Sequence, residues 1–442
     1  MKRHSIRSSL LLAIIALASF QIQAQSGRKD AALTARDTRT AQALYEEAND
    51  YAGKKFAAYL RDNVPYDQQL EDRTYGEQRE TAARNALQLA SRTNPAGDDL
   101  YYLGLLYALA GDSLKAIETF RRFIAAAPKN EANKRAQEAR LEAVVLTARK
   151  ASLDEAENFL ADYVQSSPQL PEQRMRAETE LAIAYQKAKK PEQALAHVEV
   201  IFKAAKLFRP ATPGDSRFQS EMLSLSSGIL AKLYLALNKQ DEAVAVLEET
   251  RRLSLALPSS TLYRKALTGL LDMGFQFQSI KPVDRAQAPT TTAPELTIKE
   301  WIDQAPVKLS ALRGRVVLLD FWADWCGPCI NSFPRLVRWH DKYKDRGLVI
   351  LGVTKYYGEG AGRSMKPDEE LKFLQQFKQR YKLPYGFAIA ETEDNDLSYG
   401  VSAYPSAFLI DRRGIVRYIT IGGSETEGAG LEAMIEKLLR EQ

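Results

Sequence analysis

From about Asp30 to Gln278, apolar residues recur every three to four positions in a background of Ala, Leu, Glu, Gln, Lys and Arg. That period and those residue types predict one helix after another. Near residue 280 the pattern breaks. Lys281-Pro282-Val283 to Pro294 is rich in Pro, Thr and Ala and reads as an extended linker, with its core at 281–293. Beyond it, short apolar runs alternate with amphipathic segments. Val316-Val317-Leu318-Leu319-Asp320-Phe321-Trp322 and Leu348 to Val353 read as buried strands, and Ile330 to Tyr343 and Pro367 to Tyr381 as helices. Tyr385 to Ala390 reads as a further strand. Ala407 to Asp411 and Ile415 to Ile419 flank an Arg412-Arg413-Gly414 turn and predict an antiparallel hairpin, and Leu431 to Arg440 predicts a closing helix. The expected product is a mixed sheet covered by helices on both faces.

The helical part carries a degenerate repeat. Leu103-Gly104, Tyr107, Ala116, Phe120, Phe123 and Pro128 stand at tetratricopeptide offsets. The register recurs at Leu181-Ala182, Tyr185, Ala194, Val198 and Ile201, and at Leu230-Ala231, Tyr234, Ala243, Leu247 and Thr250. A fainter copy runs through Ala143-Val144, Thr147, Ala156, Leu160, Tyr163 and Pro168. Small residues let paired helices approach, and aromatic residues fill the gap between pairs. The uneven spacing keeps an irregular helical bundle open as the alternative. Such a region offers a surface to a protein partner, or positions the other domain, and contains no catalytic constellation.

Composition adds the compartment. Met1 to Ala24 has a basic start (Lys2, Arg3, Arg7), an apolar stretch from Leu10 to Phe20 and a small residue at its end, the plan of a secretory signal peptide. The expected location is the periplasm or another extracytoplasmic space. No cysteine lies near the cleavage point, so no lipid anchor is expected. The leader accounts for three of the net +5 charges, and the remainder, near balance, gives no reason to invoke nucleic acid. A chain of 442 residues is too long for one core, and at least two domains are expected.

The chain has two cysteines, both in Trp325-Cys326-Gly327-Pro328-Cys329, at a strand-to-helix turn. Two thiols so spaced can close a disulfide and reopen it, which is what a dithiol redox centre needs. A purely structural disulfide closing so small a loop removes little chain entropy. A zinc site would lack ligands, because the three histidines are His4, His197 and His340. No metal or cofactor beyond the Cys326–Cys329 disulfide itself is expected.

From about Pro294 to Gln442 the chain resembles the thioredoxin superfamily, more specifically the extracytoplasmic thiol–disulfide oxidoreductases of the TlpA/ResA type. The resemblance rests on Leu309-Ser310-Ala311-Leu312-Arg313-Gly314-Arg315, the Trp-Cys-Gly-Pro-Cys motif, Tyr404-Pro405 and the additional helix and strand from Pro367 to Ala390. It implies an α/β thioredoxin-like domain (294–442), which the helical pattern places behind an all-α, tetratricopeptide-like region (25–280). It implies that Cys326 is the exposed nucleophile, that Cys329 is the buried resolving thiol, and that Pro405 follows a cis bond and lies against the dithiol. Trp325, Gly327, Pro328 and Tyr404 then line the substrate contact, while Trp322 also fits plain packing. Asp320 matches the buried aspartate of thioredoxins, which shuttles the proton of the resolving thiol. Where many TlpA/ResA-type proteins carry a glutamate, this chain has Ser332, so Asp320 is expected to take over that relay. Lys355 to Lys366 lacks a phosphate-binding pattern and reads as a mobile loop that helps choose partners.

The implied activity is reduction of protein disulfides, with a membrane thiol carrier as electron donor and apocytochrome cysteines awaiting haem as one suggested target. A disulfide oxidase or isomerase is the alternative within the class. A helical-repeat scaffold with a secondary redox domain is the alternative outside it.

Overall fold

The computed structural model describes residues 39–92, 95–127, 133–276, 290–360 and 362–441. The leader (1–24) and most of the 281–293 linker lie outside the described residues. Among the described residues no helix is long and apolar enough to cross a membrane.

The helical region begins with α1 (Ala41–Asn49), α2 (Tyr51–Arg61) and α3 (Gln68–Ala90). Four helical hairpins follow: α4 (Asp98–Ala110) with α5 (Ser113–Ala126), α6 (Lys134–Arg149) with α7 (Leu153–Val164), α8 (Pro171–Lys187) with α9 (Pro191–Leu207), and α10 (Pro213–Ala236) with α11 (Gln240–Ala256). Each of the four repeat copies coincides with one hairpin. Ala116, Ala156, Ala194 and Ala243 all reach 0% exposure, as small residues at helix crossings should. Gly104 shows why size matters there. A Cβ on it would fall 2.5 Å from the Phe120 ring. The last copy is spaced more widely because α10 runs for 24 residues. α12 (Ser260–Asp272) closes the region against α11.

A buried ionic cluster ties α7, α8 and α9 together. His197 Nδ1 lies 2.7 Å from Glu178 Oε2 and Nε2 lies 2.9 Å from Glu157 Oε1. Its ring stacks on Tyr185 at 5.4 Å. Burial alone would lower the His197 pKa, but the hydrogen bonds and charges of Glu157 and Glu178 carry it up to about 9.

The C-terminal part is built on a six-stranded sheet. Its strands are β1 (Glu300–Ile302), β2 (Val316–Phe321), β3 (Leu348–Lys355), β6 (Gly386–Ala390), β7 (Ser406–Ile410) and β8 (Val416–Ile421), in the order β1-β6-β3-β2-β7-β8. β2, β3 and β6 are parallel; β1, β7 and β8 pair antiparallel. β2 is buried along its whole length, which is why it reads as an apolar run broken only by Asp320. One face, through Leu318, Trp322, Ile350, Phe387 and Leu409, packs on α13 (Gly327–Tyr343), α14 (Pro367–Arg380) and α16 (Glu425–Arg440).

The other face differs from expectation. Its residues Val317, Leu319, Phe321, Phe408 and Ile419 are covered by Tyr399, which follows the short α15 (Asp394–Ser398), by Leu309 and Ala293, and by Leu255 and Tyr263 of the helical region. Part of the cover for this face is thus supplied by the other half of the chain. Within Lys355 to Lys366, read from sequence as a mobile loop, β4 (Glu359–Gly360) and β5 (Arg363–Ser364) form a two-residue ribbon. The buried Glu370 carboxylate braces it by accepting from the N–H groups of Tyr357 (2.7 Å) and Gly358 (2.9 Å).

Candidate active site

The site forms where β2 ends and α13 begins. Pro328 sits in the first turn of α13, where its missing N–H costs nothing. Cys326 occupies the N-cap position and its sulfur accepts from the Cys329 N–H at 3.2 Å. The two sulfurs are joined, with Cα atoms 5.3 Å apart. Unpaired N–H groups and the helix dipole at such a terminus favour a negative sulfur once the bond opens.

The expectation of an exposed Cys326 needs correction. It is 3% exposed, against 0% for Cys329. Trp325, Gly327 and Pro328 on either side of it are exposed, so the sulfur lies at the bottom of a rim rather than on a surface. Trp325 is 60% exposed, with the edges of Tyr357 and Tyr404 at 5.8 and 6.0 Å between ring centroids. Tyr404 Oη donates to Asp396 Oδ1 at 2.9 Å, and Lys355 Nζ holds the other Asp396 oxygen at 2.7 Å. The Tyr404–Pro405 bond is cis, and the Pro405 carbonyl accepts from Gly422 N at 2.8 Å. In the sequence Tyr357 stands out only as part of the partner-choosing loop Lys355 to Lys366, and nothing there places it against Trp325.

Asp320 lies on β2 on the face that packs against α13, flanked across the sheet by Gly352 and Ala407. It is 3% exposed and its Oδ2 has no hydrogen-bond partner. Burial pushes its carboxyl up to about 7, partly opposed by the Arg335 guanidinium. Tyr385, also buried with an unpartnered hydroxyl, is raised well above its ordinary value by burial and then by the Asp320 charge. Sequence reading placed Tyr385 at a strand start and gave no sign that it neighbours Asp320. Ser332 is buried, donates to the Pro328 carbonyl at 3.0 Å and accepts from Arg335 at 3.2 Å. Gly423 presses on it so closely that a Cβ there would lie 3.1 Å from Ser332 Oγ. Trp322 is fully buried between Phe377 and Phe387, which fits the plain packing role.

Comparison with known proteins falls on this same part of the chain. The AhpC/TSA family matches residues 287–419. Protein DipZ of Mycobacterium bovis is 32% identical over 157 residues, covering 34% of this chain and 21% of DipZ. Thiol-disulfide oxidoreductase ResA of Bacillus thuringiensis is 29% identical over 146 residues, covering 33% of this chain and 76% of ResA. A solved structure from Chlorobium tepidum, a candidate thiol:disulfide interchange protein DsbE, is 33% identical and covers 34% of this chain and 95% of its own, with a TM-score of 0.28. The chain therefore spans about a fifth of DipZ, and each of these likenesses covers about a third of the chain. Sheet order, helix-borne dithiol and the match over residues 287–419 coincide: the C-terminal part is a thioredoxin-like domain similar to the AhpC/TSA family, carried behind a helical region.

Proposed function

We propose that this protein is an extracytoplasmic thiol–disulfide oxidoreductase that reduces protein disulfides. The carrying observation is the Cys326–Cys329 disulfide at the N-terminus of α13, beneath an exposed aromatic rim. In the reduced enzyme the Cys326 thiolate attacks one sulfur of a substrate disulfide. A mixed disulfide forms and one substrate thiolate leaves. Cys329 passes its proton to the Asp320 carboxylate and attacks Cys326, closing the enzyme's disulfide and expelling the second substrate thiolate. Two electrons have moved to the substrate, whose thiolates take up protons. The electron donor that reopens Cys326–Cys329 is a dithiol, in this reading a membrane thiol carrier.

Trp325, Gly327, Pro328 and Tyr404 form the surface that a substrate peptide meets, and Pro405 holds Tyr404 at its edge. The Gly-Pro pair between the cysteines, shared with reducing thioredoxins, favours reduction over oxidation or isomerisation. The leader pattern of residues 1–24 supports export. The helical hairpins are tetratricopeptide-like and serve protein contact. A groove of about 380 Å³ among Tyr101, Tyr102, Arg135, Glu138 and Arg176 favours the scaffold reading as a second role.

The test is reduction of insulin by dithiothreitol with wild type and Cys326→Ser. Acceleration by wild type alone is expected. An inert wild type that still folds would sink the proposal. Cys329→Ser is expected to retain substrates as mixed disulfides, which identifies them.

A further inference from the structure

The start of α12 meets the loop that leads into Tyr404–Pro405. Ser260 N donates to the Tyr399 carbonyl at 3.2 Å. The Gly400 carbonyl receives three donors: Thr261 N at 3.0 Å, Ser260 Oγ at 3.0 Å and Thr261 Oγ1 at 2.9 Å. The two N–H groups are otherwise orphaned donors of a helix N-terminus, satisfied with the two hydroxyls by carbonyls just past the end of α15. The positive end of one helix thereby faces the negative end of another. Ser259, Ser260 and Tyr399 are all fully buried. Contact is so close that only glycine fits. Gly400 has φ +50°, and a Cβ there would fall 2.3 Å from Ser259 Oγ and 3.1 Å from Ser259 Cα.

Both flanks of this junction are rigid. On one side, Tyr399 packs against Phe321 and Phe408 at 5.3 and 5.0 Å, and its hydroxyl donates to the Pro294 carbonyl at 2.6 Å. On the other, Val401 N returns to the Asp396 carbonyl at 2.8 Å, and the Asp396 carboxylate takes the Tyr404 hydroxyl. Only four residues separate Gly400 from Pro405, and Tyr404 touches the rim at Trp325. α10 also packs along α15. The helical region therefore grips the segment that presents Tyr404 and Pro405.

We infer that Ser260 and Thr261 are positioning residues for substrate docking: through Gly400 the helical region sets where the Tyr404–Pro405 loop stands against the dithiol. The inference rests on the proposed exchange at Cys326–Cys329 and adds to it a part for the helical region that requires no external partner. Because the grip lies away from the sulfurs, loosening it should weaken docking of a folded or peptide disulfide and leave the dithiol's own reactivity alone.

The test uses the full chain with two variants. Gly400→Ala wedges the junction open, and the double variant Ser260→Ala, Thr261→Val removes two of the three donors with little change of volume. Two rates are read: insulin reduction, resolved into KM and kcat, and direct reduction of the Cys326–Cys329 disulfide by dithiothreitol. We expect KM for insulin to rise about fivefold or more in both variants, with kcat within about twofold and the dithiothreitol rate unchanged. Wild-type KM in both variants overturns the inference. So does a parallel fall of the insulin and dithiothreitol rates, which is the mark of general loosening. Failure of wild type to reduce insulin would instead remove the function on which the inference stands.

Discussion

The backbone N–H of Cys329 donates to the sulfur of Cys326 across 3.2 Å, so one cysteine of the pair caps the helix whose first turn holds the other. The same geometry makes the two sulfurs unequal. Cys326 lies at the foot of the rim with exposed residues on either side, and Cys329 is sealed inside the first turn.

Reduced protein should therefore alkylate in order. Iodoacetamide is expected to modify Cys326 at least about tenfold faster than Cys329, since thiolate character and access both favour it. Peptide mapping after short exposure checks this. Equal labelling of the two would contradict the assigned roles.

Asp320 gives a pH signature. Its carboxyl titrates near 7 in the fold and near 3.8 when free. Between those values the folded state holds a proton that the unfolded state has released, so stability falls as pH rises from about 4 to 7. Asp320→Asn should abolish that fall and leave the variant more stable than wild type at pH 8, by on the order of 2–4 kcal/mol. Urea unfolding at pH 4.5 and 8 measures it. The same variant should slow turnover severalfold if the carboxylate accepts the Cys329 proton; an unchanged rate and an unchanged Cys329 titration would remove that role.

His197 behaves in the opposite sense. Held by Glu157 and Glu178, it titrates near 9 instead of 6.5. Its stabilisation is complete below about pH 6.5 and is lost as pH rises through 9. His197→Gln should cost up to about 3 kcal/mol at pH 6 and far less at pH 9.5. A variant whose deficit is the same at both values would show that the cluster acts through packing alone.

Gly104 tests the helical register. In an open helix Gly→Ala gains up to about 1 kcal/mol, yet here the new methyl would meet Phe120, and overpacking of a core costs about 1–3 kcal/mol. The clash wins on these magnitudes. Gly104→Ala is expected to destabilise by about 1–2 kcal/mol in chemical unfolding, and a stabilised variant would mean that the two helices do not cross there.

Local pattern was enough for the four hairpins, the buried strand β2 and the dithiol turn, each of which rests on neighbouring residues or a short motif, whereas the cis bond before Pro405 was expected only through the family resemblance. Apolar period and residue size survive in the sequence because each helix or strand must bury its own face. Other features depend on residues far apart in the chain. The sinking of Cys326 below Trp325, the approach of Tyr357 and Tyr404, and the charge effect of Asp320 on Tyr385 are of this kind. So is the meeting of Ser260 and Thr261 with Gly400, some 140 residues away. No periodicity records such contacts, since a serine that caps its own helix and one that also holds a distant carbonyl look alike until the chain has folded.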